Sequence, residues 1–83
     1  MASYAPFHIT VTNVSGALFD GDAVMLVVPG VDGVLTVLAH HEPLVSLLKK
    51  GLVRVTTSEG RVTEYEIEAG VLEVNKNRAT VLV

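Results

Sequence analysis

The sequence contains no cysteine and no tryptophan, and aromatic residues make up only 5% of its 83 positions. Without cysteine, neither disulfide bonds nor a thiolate metal site can compensate for the small core of so short a chain. The length allows one domain. We therefore expect a single core that is packed from aliphatic side chains alone.

Charged residues and long apolar runs are also scarce. Charged residues make up 18% of the chain, and the six lysines and arginines are scattered, which excludes a nucleic-acid footprint. The longest aliphatic run, residues 23–28, is far shorter than the ~20 residues that span a bilayer. Residues 1–6 lack the basic and apolar segments of a secretory signal. We predict no nucleic-acid partner and no membrane insertion, and a cytoplasmic protein is the default.

What the chain has in abundance is β-branched residues, with 16 valines, seven threonines and two isoleucines. These side chains favour pleated sheets, and apolar residues alternate with polar ones in segments 7–12 and 63–69. The pattern predicts an all-β, two-layer β-sandwich of about seven to nine short, mainly antiparallel strands. It would occupy residues 7–83, after an N-terminal extension of residues 1–6. The side chains expected to point inward are Phe7, Ile9, Val11, Leu26, Val53, Val55, Tyr65, Ile67, Leu72 and Val81.

Turn residues divide the second half of the chain into two hairpins. Gly60, after Ser58 and Glu59, is expected to adopt a positive φ between two strands. Asn77 is expected to be the left-handed residue of the turn over 75–78. Residues 41–51 are ambiguous, because a proline near the start, leucines at helical spacing, and a final Lys-Lys-Gly also favour a short helix. The local pattern leaves helix and strand equally open.

Few residues suggest chemistry. Residues 29–33 contain two glycines, but no Lys-Ser/Thr follows, so they do not form a phosphate loop. His40, His41 and Glu42 could suggest a metal site, although adjacent strand residues point to opposite faces, and a polar loop is the better interpretation. Glu64, Glu66 and Glu68 are interpreted as a solvated strand face, not as catalytic carboxylates. We predict no catalytic residue, no bound metal and no cofactor.

Six short motifs, taken in order, resemble a known family. The matching segments are ALFDGD (17–22), VPGVDG (28–33), VLAHHEPLV (37–45), LKKG (48–51), AGVLEV (69–74) and ATVL (79–82). Together they are similar to the amino-terminal β-sandwich of the epsilon subunit of F-type ATP synthases, and the resemblance covers residues 7–83. In that family residues 43–48 form a strand, so the resemblance favours the strand over the helix.

The resemblance implies a non-catalytic rotor subunit of the central stalk. Such a subunit binds the gamma subunit and the membrane c ring and couples ion flow to rotation, at the cytoplasmic face of the bacterial inner membrane. It implies that one end of the sandwich faces the c ring. The ring-facing residues would be Gly30, Asp32, Gly33, Val34, His41, Glu42 and Pro43.

The sequence also departs from the family pattern. Val14 stands where the family often has proline, and Thr36 and Ala69 stand where it usually has glycine. Ala39-His40 replaces a small residue or proline followed by glycine or asparagine. These changes indicate a divergent member. Family members usually continue into two carboxyl-terminal helices, so we interpret the chain as a short form or a fragment without them. We expect it to lack the self-inhibition and ATP binding that the resemblance attributes to those helices. The alternative function is a free-standing β-sandwich module that binds another partner.

Overall fold

Residues 4–83 form nine β-strands and no helix. Residues 4–83 are the part that the computed structural model describes. That part accordingly contains no helix long and apolar enough to cross a membrane. The strands are β1 (Phe7–Asn13), β2 (Gly16–Ala23), β3 (Met25–Gly30), β4 (Gly33–Val37), β5 (Leu44–Leu48), β6 (Gly51–Thr56), β7 (Val62–Ile67), β8 (Gly70–Asn75) and β9 (Arg78–Leu82).

The strands form one sheet that curls into two layers. One layer has the order β2-β1-β9-β8-β5, and the other consists of β4-β3-β6-β7. The layers are joined where β3 meets β5 through a single residue pair, Gly30 and Leu48. Two further hydrogen bonds hold this corner, from Val31 N–H to the Leu47 carbonyl at 3.0 Å and from Lys49 N–H to the Pro29 carbonyl at 2.9 Å. The predicted all-β sandwich is confirmed, and among the pairings described only β1 with β9 is parallel.

The core lies between the layers and follows the alternation that the sequence indicated. Nine of the ten residues predicted to point inward are buried. Tyr65 is only half-buried, because its ring packs against the core while its hydroxyl reaches the Leu18 carbonyl at the rim. No polar or charged side chain is buried among residues 4–83, so burial of apolar area carries the stability of the fold.

Both predicted hairpins are present, as β6–β7 and β8–β9. Gly60 has a φ of 85° and Asn77 a φ of 58°, as predicted. Lys76 also adopts a positive φ of 52°, and two successive residues of this kind match the right-handed twist of the flanking strands. Glu64, Glu66 and Glu68 are exposed, and Glu64 pairs with Arg54 on β6 at 2.7 Å.

The ambiguous segment forms strand β5, and the helical pattern in it is misleading. β5 pairs with β8 along its whole length, from Leu44 opposite Val74 to Leu48 opposite Gly70. A helix of this length is marginal on its own, whereas the ladder satisfies the backbone and buries Leu48. The leucine spacing is therefore a by-product of a strand that has apolar residues on both faces.

Candidate functional site

The first predicted loop is the tip of the β3–β4 hairpin. Gly30 pairs with Gly33 across a two-residue turn, Val31–Asp32. Gly33 has a φ of 136°, a conformation that side chains rarely adopt. A Cβ on Gly30 would lie 2.6 Å from the Gly33 carbonyl oxygen. Both glycines are thus needed for the tight turn, which leaves Asp32 and Val34 exposed.

The second predicted loop connects β4 to β5 and is fixed by a distant asparagine. The Asn77 side chain, in the β8–β9 turn, accepts a hydrogen bond from His40 N–H at 2.7 Å. His40 has a φ of 63°, which is strained for a residue with a side chain. The neighbouring His41 donates from Nδ1 to the Glu42 carbonyl at 2.8 Å. Glu42 and Pro43 are exposed.

The structure brings together only part of the predicted ring-facing set. Residues 30–34 form the turn into β4, and residues 41–43 belong to the loop that follows it and leads to β5. A cleft of about 300 Å³ lies between the hairpin and β5. Its lining includes Gly30, Asp32, Gly33 and Val34 together with Leu44, Val45 and Ser46. His41 and Glu42 do not line this cleft, and Pro43 borders a second, more open cleft beside β8.

The described residues contain no group of three histidine, aspartate or glutamate side chains placed to hold a metal ion. In the β4–β5 loop, His41 Nδ1 is engaged by the Glu42 carbonyl. The loop therefore has the hydrogen bonding of a connector that the β8–β9 turn holds in place.

An exposed apolar strip lies on the outer face of the β5 layer, and the sequence reasoning missed it. Leu47 is opposite Val71, which is in turn opposite Leu82, so these side chains form one row across β5, β8 and β9. Val45 is 70% exposed and Leu47 61%. Val31 adjoins Leu47 at the corner. We define the apolar strip as Val31, Val45, Leu47 and Leu82. Its signal in the sequence is an apolar residue at every position of β5 except Ser46.

The other end of the same layer, formed by β1 and β2, carries a polar cluster. His8 Nε2 donates a hydrogen bond to Asp20 Oδ1 at 2.6 Å, and its Nδ1 lies 3.5 Å from Asp22 Oδ1. Thr10 donates to the same Asp20 oxygen at 3.2 Å. The hydrogen bonds from His8 and Thr10 lower the pKa of Asp20 below its ordinary value of 3.8. This cluster joins β1 to β2 on the surface.

Exposed apolar patches on a folded domain mark sites of interaction with other proteins. The fold and the strip thus define a small β-sandwich with an exposed apolar strip on the outer face of one layer. Residues 6–83 match the family model described as ATP synthase, Delta/Epsilon chain, beta-sandwich domain. The chain belongs to this family, which confirms the resemblance found in its motifs.

Individual relatives agree with the family match. The ATP synthase epsilon chain of Dichelobacter nodosus is 35% identical over 77 residues, which cover 93% of this chain and 54% of the relative. The epsilon chain of Chlorobium limicola is 32% identical over 76 residues, which cover 92% of this chain and 86% of that protein. The chain thus spans about half the length of the first relative and most of the second.

Two solved structures share the fold. A chain in a structure of the Euglena gracilis mitochondrial ATP synthase, OSCP/F1/c-ring, superposes with a TM-score of 0.89 at 22% identity; the match covers 100% of this chain and 53% of that one. A chain in the central stalk and c ring of the Tetrahymena thermophila enzyme gives a TM-score of 0.77 at 10% identity, covering 99% of this chain and 66% of that one.

Proposed function

We propose that this chain is a non-catalytic central-stalk subunit of a rotary ATP synthase, which couples the c ring to the gamma subunit. Family membership and the epsilon-chain relatives support this role. So do the similar folds in assemblies whose titles name the c ring and the central stalk. The observation that carries the proposal is the apolar strip, because its four side chains, Val31, Val45, Leu47 and Leu82, are 48–70% exposed.

The apolar strip is proposed as the surface for the gamma subunit. Long-lived subunit interfaces are more apolar than transient ones and resemble a core cut in half. On the outer face of this layer, Leu47 and Leu82 are 61% and 51% exposed. Binding of gamma there would remove these side chains from water at a gain of about 25 cal/mol per Å² of apolar area.

The hairpin tip and the β4–β5 loop are proposed as the surface for the c ring. The residues assigned to it are Gly30, Asp32, Gly33, Val34, His41, Glu42 and Pro43. Asp32 and Glu42 are exposed carboxylates, which suits a partly polar interface with bridging water. The two segments are separated along the chain by β4, so the contact would run along that strand.

A rigid sandwich suits a part that transmits torque. The corner at Gly30 and Leu48 makes the two layers one hydrogen-bonded sheet, and close-packed cores transmit strain with little deformation. The subunit would lie at the cytoplasmic face of the bacterial inner membrane and be held there by its protein partners, with no insertion of its own.

Affinity capture from detergent-solubilised membranes tests the proposal. The tagged chain should recover gamma together with the c ring, and Leu47→Asp should abolish recovery of gamma. Val62→Asp is the matched control, because Val62 is 51% exposed on the other layer and lies outside both proposed surfaces. Capture of a complex that contains neither gamma nor the c ring would refute the proposal and favour the free-standing module.

A further inference from the structure

Three strands have only one neighbour within the described part of the chain: β2, β4 and β7. An unpaired strand edge is a template for another strand, and natural proteins guard such edges with charged residues. β2 carries the exposed Asp20 and Asp22, and β7 carries the exposed Glu64 and Glu66. β4, with the sequence GVLTV, carries no charge and no proline. β4 is the unguarded edge.

The backbone of β4 is oriented for pairing at this edge. Pro29 lies opposite Val34, yet its carbonyl accepts a hydrogen bond from Lys49 N–H and so points away from β4. Val34 therefore belongs to a pair that is not hydrogen-bonded, and its own N–H and C=O point to the open edge. Thr36, two residues on, has the same orientation.

We propose that β4 pairs with β4 of a second copy of this chain, in antiparallel register, when the protein is free of other partners. With the two-fold axis at Leu35, Val34 lies opposite Thr36 of the second copy, and all five residues of the strand are matched. The outward-pointing groups of Val34 and Thr36 then form four hydrogen bonds between the copies.

Charge favours β4 over the other edges for this pairing. The chain has a net charge of −3, and antiparallel self-pairing of β2 or β7 would bring carboxylates together across the new ladder, which is unfavourable. Self-pairing of β4 brings only uncharged residues together: glycine, valine, leucine and threonine. It also covers Val34, whose side chain is 71% exposed. The inference does not rest on the proposed function, but a copy paired through Val34 could not seat the same residue on a c ring.

Sedimentation velocity of the full 83-residue chain, from about 1 µM to about 1 mM, measures the dimerisation that a contact of this size would give. Three double variants identify the edge. V34E/T36E and V34K/T36K place like charges opposite each other and should raise the dimer Kd on the order of tenfold or more. V34K/T36E places opposite charges together and should keep the parent Kd within about threefold. The two like-charge variants shift the net charge in opposite directions, so overall repulsion cannot explain both.

An equimolar mixture of V34E/T36E and V34K/T36K should form a heterodimer, because each strand then faces its complement. Val62→Glu, on the β7 edge, should leave the Kd unchanged, and thermal melting should show that every variant is folded. The proposal is wrong if the parent chain is monomeric throughout or if the mixture stays monomeric. It is also wrong if Val62→Glu weakens the dimer as much as the β4 changes. A monomer whose Val34 and Thr36 amides become protected only on adding gamma or c ring would assign the edge to that subunit instead.

Discussion

The hydroxyl of Tyr65 on β7 donates a hydrogen bond to the backbone carbonyl of Leu18 on β2 at 3.1 Å. These two strands are the ends of the sheet order, so the bond joins the two layers on the side away from the corner at Gly30 and Leu48. A side chain thus completes the closure that the backbone ladder leaves open.

Replacing Tyr65 with phenylalanine keeps the packing of the ring and removes only this bond. We expect the free energy of unfolding to fall by about 0.5–1.5 kcal/mol, the usual net value of one hydrogen bond. Hydrogen exchange should quicken in β2 more than in β1. Tyr4→Phe, at an exposed position before β1, is the control and should change neither quantity. Equal effects of the two changes would contradict a specific role for the bond.

The local sequence pattern predicted which residues form the core, but it did not predict how the sheet curls into two layers. Phe7, Ile9 and Val11 alternate with polar residues, so their burial follows from the period of a strand. The Asn77 turn was predictable because the residue type itself favours that backbone. The contact between Asn77 and His40 joins residues 37 positions apart, and no local rule predicts such a contact.

The candidate site was less predictable than the fold, for a physical reason. In β5, Leu44 and Leu48 lie on the inner face while Val45 and Leu47 lie on the outer face, and all four are apolar. Alternation therefore could not distinguish the core face from a partner-binding face. The predicted ring-facing residues came from the order of motifs, because loops carry no pattern of their own.

The hydrogen bond from His8 makes the ionisation of Asp20 sensitive to substitution on β1. His8→Ala removes the first cause of the lowered pKa, so the pKa of Asp20 should rise toward its ordinary value of 3.8. Thr10 and Arg78 still favour the carboxylate, so the rise should be incomplete. Carboxyl-carbon NMR titration of Asp20 in both proteins measures the rise. An unchanged Asp20 curve would contradict the assignment.

The same lowered pKa predicts how acid affects stability. A carboxyl whose pKa is lower in the folded state stabilises the fold above its unfolded pKa and loses that effect as the pH falls through the folded value. The free energy of unfolding of the parent, measured with denaturant, should therefore fall as the pH drops below about 4. In Asp20→Asn this acid-side loss should be smaller. Asp32→Asn, an exposed carboxyl away from His8, is the control, and an acid response reduced equally in both variants would count against Asp20.

Gly33 and Gly21 provide a matched pair for testing the hairpin. A methyl group at either position meets no atom within 4 Å, but Gly33 has a φ of 136°. Gly33→Ala should lower the free energy of unfolding by about 1–3 kcal/mol through backbone strain alone. Gly21→Ala should change it little. Chemical denaturation measures both, and equal effects would show that the turn does not require the left-handed backbone.

The proposed ring-facing residues should affect coupling more than folding. Asp32 and Glu42 are exposed and take part in none of the side-chain hydrogen bonds or ion pairs found within residues 4–83, so charge reversal to lysine should change the stability of the domain by no more than about 0.5 kcal/mol. If these side chains meet the c ring, Asp32→Lys and Glu42→Lys should reduce ion-driven ATP synthesis in reconstituted vesicles and leave ATP hydrolysis by the detached catalytic part unchanged. His41→Gln is also expected to reduce ion-driven ATP synthesis, because the His41 ring holds the Glu42 carbonyl.

Glu59→Lys, in the β6–β7 turn, is the control: it makes the same change of charge at an exposed position outside the proposed surface. It should preserve both activities. Variants at Asp32 and Glu42 that melt at lower temperature while synthesis stays intact in the assembled enzyme would remove these residues from the interface.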